Sequence, residues 1–316
     1  MIAKMLLTGL ILSAAVVQLS AKEIKVLMIG NSFSVCVGRY LPQIVRTAPG
    51  GHKLELTSAY IGGCTFDKHS GNLKKAEKNP DFKPYGITCW FSDSSKKIKR
   101  FKGNVNELLK NNQYDVVTIQ QGSPKSWDYQ TYQPYADEVI AYIRKYQPKA
   151  EIVIQQTWAY RCDHPRLQPN PNAKWNFDQT GMYERIRDSY RKLAATYKLR
   201  MIPTGDAVQI YRKNTPVKFQ PVEEKIEYPQ LPSIAGDVVG NASWRKNGKT
   251  GQKYLSVDRI HLNSSGVYLQ ACLWFAFLYG EPVSRIAYVP GDMNAAENAL
   301  LRKCAQEALD NCKQEK

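Results

Sequence analysis

A chain of 316 residues with 43% apolar, 23% charged and 11% aromatic residues has the material for a packed core, which excludes disordered and collagen-like proteins. Its 44 Lys and Arg against 28 Asp and Glu give a formal charge of +16, which favours encounter with polyanions without naming one. A single α/β domain with insertions accommodates this length, and no fixed-period repeat is present.

At the N-terminus Lys4 precedes an uncharged run from Met5 to Val17, and Leu19-Ser20-Ala21 follows, the layout of a secretory signal peptide over residues 1–21. That run is shorter than the ~20 residues a transmembrane helix needs, and no later segment supplies them. The expectation is an exported protein, periplasmic or extracellular, whose mature domain covers 22–316 without a membrane span. Cysteines at 36, 64, 89, 162, 272, 304 and 312 show no paired CxxC spacing, so neither a zinc ribbon nor a thioredoxin-like site is read. Cys64 and Cys89 are candidates for a bridge in an oxidising compartment, but no disulfide is assigned. Cys272, inside an apolar run, reads as a buried thiol.

Glu23 to Ile29 reads as a buried strand that ends at Gly30-Asn31-Ser32. Phe33 to Tyr40 is expected as an ordered loop, because Pro42 fits only the first turn of a helix over Leu41 to Thr47. Lys53 to Tyr60 alternates as a strand that Ile61-Gly62-Gly63 breaks. The polar stretch 66–102 is expected to be an irregular surface insertion. Asn104 to Asn112 is an amphipathic helix, and Tyr114 to Gln120 a strand ending in Gln121-Gly122-Ser123. A helix over Gln133 to Tyr146, a strand over Glu151 to Gln155, a helix over Thr180 to Tyr197, a strand over Met201 to Pro203 and a helix over Asp206 to Tyr211 follow. A second irregular insertion is expected over 213–254. Ser265 to Tyr279 is apolar almost all round and closes with Gly280 and Pro282, so it is a buried helix, and Asn294 to Cys312 is a charged one. Strands alternating with helices predict a parallel sheet covered on both faces, a three-layer α/β/α architecture.

Ligands of such sheets bind beyond the carboxyl ends of the strands, where Gly30-Asn31-Ser32, Gly62-Gly63 and Gln120-Gln121-Gly122 fall. A serine hydrolase needs a hydroxyl on a sharp turn, an imidazole base, a carboxylate to orient it and donors for the oxyanion. The G-x-S-x-G elbow of α/β-hydrolases is absent, since Gly30-Asn31-Ser32-Phe33-Ser34 fails at its last position. His52 sits in a turn, and His69 and His164 in polar loops. His261 alone has a carboxylate three residues before it, Asp258, and a core helix just after it.

The order of these blocks resembles the SGNH, or GDSL, hydrolase superfamily, and most closely a divergent branch of exported bacterial proteins with Gly-Asn-Ser-Phe-Ser and Gln-Gln-x-Ser blocks. Gly30-Asn31-Ser32-Phe33-Ser34 matches its first block, with Asn31 for the usual Asp, and Asp258-Arg259-Ile260-His261 its last. The resemblance implies a flavodoxin-like sheet, Ser32 as nucleophile, His261 as general base and then acid, and Asp258 as the residue that orients it. The oxyanion hole it implies is made by the N–H groups of Ser32 and Gly63, with Gly62 as the fallback, and a side-chain donor. The Gly-x-Asn-Asp block is replaced by Gln120-Gln121-Gly122-Ser123, so Gln121 is assigned that donor role, with Gln120 open because neighbours on a strand face opposite ways.

Asn31, Gln120, Trp158 and Tyr160 are candidate substrate contacts; Trp158 and Tyr160, with Trp127, Tyr129 and Trp175, offer rings for stacking on sugars or for packing the core. Cys162-Asp163-His164 lacks a second ligand pair, so no metal is expected, and no cofactor. The basic run Lys96 to Arg100 reads as a solvated face, not a nucleic-acid site. Asn263 reads as a helix cap. The expected function is a serine esterase that removes acyl groups, acetyl above all, from a carbohydrate or glycan substrate. The alternatives are a lysophospholipase or general acyl esterase, and a glycan-binding protein of the same fold without catalysis.

Overall fold

The computed structural model describes residues 21–221 and 226–314, so the expected signal peptide lies, Ala21 apart, outside the described residues. In chain order the strands are β1 (Glu23–Gly30), β2 (Lys53–Tyr60), β3 (Tyr85–Phe91), β4 (Lys99–Gly103), β5 (Val116–Ile119), β6 (Glu151–Gln155), β7 (Arg200–Ile202), β8 (Val239–Lys246) and β9 (Lys253–Leu262). The α-helices are α1 (Ser32–Val35), α2 (Leu41–Thr47), α3 (Phe66–Lys78), α4 (Val105–Asn111), α5 (Tyr135–Tyr146), α6 (Gln179–Tyr197), α7 (Thr204–Asn214), α8 (Ser264–Tyr279) and α9 (Ala295–Gln314).

The run Val26-Leu27-Met28-Ile29 in β1 is buried on both faces, as a central parallel strand must be. It pairs in parallel with β2 on one side and β5 on the other, and β6 and β7 continue the sheet beyond β5. The parallel order β2-β1-β5-β6-β7 is the flavodoxin-like arrangement expected. Strands β3 and β4 extend it beyond β2 as antiparallel neighbours. Helices α3, α4 and α5 pack together as one layer, and α2, α7, α8 and α9 as the other. The α/β/α class is therefore as the sequence predicted. Helix α8 is buried from Gly266 to Tyr279, its first turn capped by the Asn263 side chain and its end closed by Gly280 at φ 70. Among the described residues no helix is long and apolar enough to cross a membrane.

Three local expectations need correction. The stretch 66–102, read as irregular, holds α3, β3 and β4: Phe66, His69, Leu73 and Ala76 recur on one buried stripe of α3, and Tyr85 and Ile87 are the buried alternate positions of β3. The Lys and Asn residues between them hide both periodicities. The stretch 213–254 is irregular only in part, since β8 pairs with β9 as an antiparallel hairpin outside the main sheet. Phe33 to Tyr40, read as a loop, is α1 followed by a 3₁₀ turn over Cys36–Arg39, because the Asn31 side chain accepts from Phe33 N and starts a helix there. Among the described residues Cys64 and Cys89 form no disulfide with each other.

The order of the sheet reverses between β1 and β5, and the crevice beyond the carboxyl ends of these two strands is where such folds place ligands. Leu27 is fully buried at the centre of this arrangement. Leu27→Ala should lower unfolding free energy by ~2–5 kcal/mol, read from the shift in urea midpoint at unchanged slope. A shift below half a kcal/mol would mean that β1 is not the packed centre.

Candidate active site

Ser32 opens α1 directly after β1, and His261 lies at the end of β9, 229 positions along the chain. The fold brings them together: His261 Nε2 is 2.9 Å from Ser32 Oγ, and His261 Nδ1 is 2.7 Å from Asp258 Oδ2. The other Asp258 oxygen accepts from Ile260 N at 2.8 Å and His261 N at 3.0 Å, which fixes the carboxylate against its own turn. Half-burial pushes the Asp258 carboxyl up, but the His261 imidazole and these backbone donors outweigh it and hold the group down at about 2. His261 and Asp258 are 46% and 38% exposed, so the imidazole is open to an incoming ligand.

The turn that presents Ser32 is held by one buried side chain. Asn31 Oδ1 accepts from Phe33 N at 2.9 Å and from Gln120 Nε2 at 2.6 Å, while its Nδ2 donates to Cys64 O at 3.0 Å. The loops after β1, β2 and β5 therefore meet on a single carboxamide. An aspartate could accept the first two bonds but not donate the third, which accounts for Asn where the resembling blocks have Asp. Gly63, in the loop after β2, has φ +58, a left-handed conformation that glycine adopts without strain. No acceptor for the N–H groups of Ser32 and Gly63 is found among the described residues.

Behind Ser32, Phe33 is stacked on Trp158 at 3.9 Å and meets His261 edge-on at 5.9 Å. Trp158 Nε1 donates to Ile260 O at 2.9 Å, and the Phe33 carbonyl accepts from Gln155 Nε2 and Gln270 Nε2 at 2.7 and 2.9 Å. Sequence reasoning missed this support, because Phe33, the Gln155–Trp158 stretch and Gln270 lie on three segments far apart in the chain and nothing local pairs them.

Several assigned roles do not fit. Gln121 is fully buried, its Oε1 accepting from Phe66 N and Gly122 N, and its Nε2 donating to Thr131 O and Oγ1. Its carboxamide caps α3 and is spent there, so it does not supply the oxyanion donor; Gln120 is the neighbour that reaches the nucleophile turn. Asn31 and Gln120 are each 1% exposed and act as scaffold, not as substrate contacts. Trp158 and Tyr160 are likewise buried, Tyr160 with its hydroxyl 2.9 Å from Ser123 Oγ, so neither offers a ring for stacking on a sugar. His69 belongs to α3, not to a loop, and burial pushes its pKa down to about 4. Asp163 is taken up by Arg161 and Arg259, and among the described residues no group of His, Cys, Asp and Glu is placed to hold a metal ion.

A family described as "Domain of unknown function (DUF4886)" matches residues 25–220. The crystal structure of a DUF4886 family protein from Bacteroides uniformis is similar to this chain at 25% identity and a TM-score of 0.69, covering 91% of this chain and 95% of that one. A member of the lipolytic protein G-D-S-L family from Veillonella parvula is similar at 10% identity and a TM-score of 0.40, covering 81% and 97%, too distant to carry an argument about the site. No curated protein matches the chain.

Asn31→Asp should cost ~1–3 kcal/mol of stability, because it sets a carboxylate oxygen against the Cys64 carbonyl in a buried site. Urea unfolding checks this, and a stability equal to that of the parent would sink it. The Asp258 carboxyl titrates at about 2 when folded against an ordinary 3.8, so its charge stabilises the fold above pH 3.8 and that contribution is lost as pH falls towards 2. The stability gap between the parent and Asp258→Asn should therefore close over that interval in acid unfolding followed by circular dichroism, and a constant gap would contradict the assignment.

Proposed function

We propose that this chain, which belongs to the DUF4886 family, is a serine hydrolase of carboxylic esters that works in the manner of SGNH enzymes. The observation that carries the reading is the unbroken chain Asp258, His261, Ser32, linked at 2.7 and 2.9 Å and placed at the switch point of the sheet. On this reading Ser32 Oγ attacks the acyl carbonyl as His261 Nε2 takes its proton, with Asp258 holding Nδ1 and balancing the imidazolium charge. The carbonyl oxygen becomes an oxyanion received by the N–H groups of Ser32 and Gly63. His261 then returns the proton to the departing alcohol, leaving Ser32 acylated. A water molecule, deprotonated by His261, releases the acid and restores Ser32.

The substrate on this reading is a short acyl ester, acetyl above all, carried by a glycan. The depression of about 330 Å³ that contains Asp258 and His261 mixes Pro165, Val257 and Ile260 with His164, Arg245, Ser256 and Arg259, whose polar groups can hydrogen-bond a sugar. Export, read from residues 1–21, places the enzyme with extracytoplasmic glycans.

Hydrolysis of p-nitrophenyl esters from acetyl to octanoyl tests this. The parent should prefer acetyl, and Ser32→Ala should lose at least ~10³-fold in kcat with its fold intact by circular dichroism. No turnover by folded parent, or turnover that survives in Ser32→Ala, would overturn the assignment.

A further inference from the structure

A cavity of about 600 Å³ opens along the β8–β9 hairpin, with Leu255 and Val257 among its lining and Trp244 and Tyr228 beside them. It shares Val257 and Arg259 with the smaller depression that contains Asp258 and His261, so a ligand filling the larger space borders the triad. Two arginines line it on one carboxylate. Arg161 gives Nε and Nη2 to Asp163 at 2.7 and 2.9 Å, and Arg259 gives Nε to the same group at 2.8 Å.

Arg161 is 3% exposed at its side chain and lies over the Phe219 ring, 4.3 Å from its centre. Its Nη1 rests against Gly240, where a Cβ would come within 2.4 Å of it, and finds no acceptor among the described residues. A buried cationic donor left without an acceptor is costly, and marks a place where a ligand or water completes the site. Lys253 stands 3.4 Å from the centre of the Tyr228 ring, so Arg161, Arg259 and Lys253 outnumber the lining carboxylates Asp163 and Glu227. The Trp244 Nε1 is already satisfied by Gln230 O at 2.7 Å, and its ring meets Tyr228 edge-on at 5.5 Å. What Trp244 has left to offer a ligand is aromatic surface.

Asp163 takes the Nε and Nη2 donors of Arg161, which leaves its Nη1 and the terminal nitrogens of Arg259 to donate to a carboxylate, and an aromatic surface suits the C–H face of a ring. We propose that this cavity is a subsite for a carboxylated sugar, a uronate unit of an anionic polysaccharide, with its carboxylate on Arg161 and Arg259 and its ring against Trp244. The neighbouring acylated unit then reaches Ser32. The inference rests on the hydrolase reading for what happens to that neighbour, whereas binding of the uronate itself requires no hydrolysis.

The test is calorimetric titration of the Ser32→Ala protein with trigalacturonate, with its carboxyl-reduced counterpart, and with inorganic phosphate. Trigalacturonate should bind at least tenfold more tightly than either. Arg259→Gln and Trp244→Ala, each in the Ser32→Ala background, should weaken it tenfold or more, while Lys97→Gln, a surface charge on the approach to β4, should leave it unchanged. These positions are chosen because the buried Arg161 is needed by Asp163 for packing. Equal affinity for the reduced oligomer, equal affinity for phosphate, no binding, or an equal loss in Lys97→Gln would each overturn the subsite. Loss of trigalacturonate binding with acetyl-ester turnover intact in the parent removes the subsite alone, and binding without turnover removes the hydrolase reading alone.

Discussion

The turn that presents Ser32 depends on the Asn31 carboxamide. Ser32 at the start of α1, the Gly63 N–H and the Gln120 amide sit on the three segments that leave the sheet after β1, β2 and β5, beyond its strand pairing. Asn31 uses one oxygen and one nitrogen to tie all three, and it does so almost fully buried, where each bond is strong and each unmade bond is costly. Gly122 tightens the same junction: a Cβ there would come within 2.6 Å of Thr65 and 2.9 Å of the Cys64 carbonyl, so the third loop lies directly on the second.

The base is positioned by a different device. His261 does not sit on the main sheet but on a hairpin outside it, so its alignment with Ser32 has to be imposed from outside its own element. Trp158 does this by a bond to the Ile260 carbonyl on one side and a ring stack with Phe33 on the other, which couples the hairpin to the nucleophile helix through one indole. The Arg161 N–H to Arg259 carbonyl bond at 2.9 Å adds a second attachment one step back along the strand. Trp158, for which the sequence left sugar stacking and core packing open, is thus part of the frame that aligns the imidazole, and aromatic surface for a ligand is found at Trp244 and Tyr228.

The same hairpin joins the triad to the neighbouring cavity. Alternation along β9 puts Val257 and Arg259, two residues apart, on one face, and both line both depressions. On the proposed reading, the base that serves Ser32 and the subsite beside it would share one short strand. The positive character of that region is local chemistry, whereas the overall charge of +16 only raises the chance of encounter.

How much was legible in the chain varied with how local the cause was. The parallel strands were readable because their buried runs stop at glycine or polar punctuation, and the boundaries of β2, β6 and α2 match the sequence reading. The blocks holding Ser32, Asp258 and His261 were readable from their order along the chain, which resembles the SGNH superfamily; the Asp-x-x-His pair alone is a weak pattern. The choice between Gln120 and Gln121 was not, since adjacent residues of an extended chain differ only by which face they take, and that follows from the pairing of β5 with β1 and β6. The sequence by itself determined the α/β/α class, the parallel strands and the candidate triad, because periodicity, glycine punctuation and short motifs are written within a few residues. Only the tertiary structure decided that Trp158 and Asn31 are scaffold, that 66–102 extends the sheet, and that Arg161 and Arg259 share Asp163, because burial and long-range hydrogen bonds arise between segments that the linear order keeps far apart.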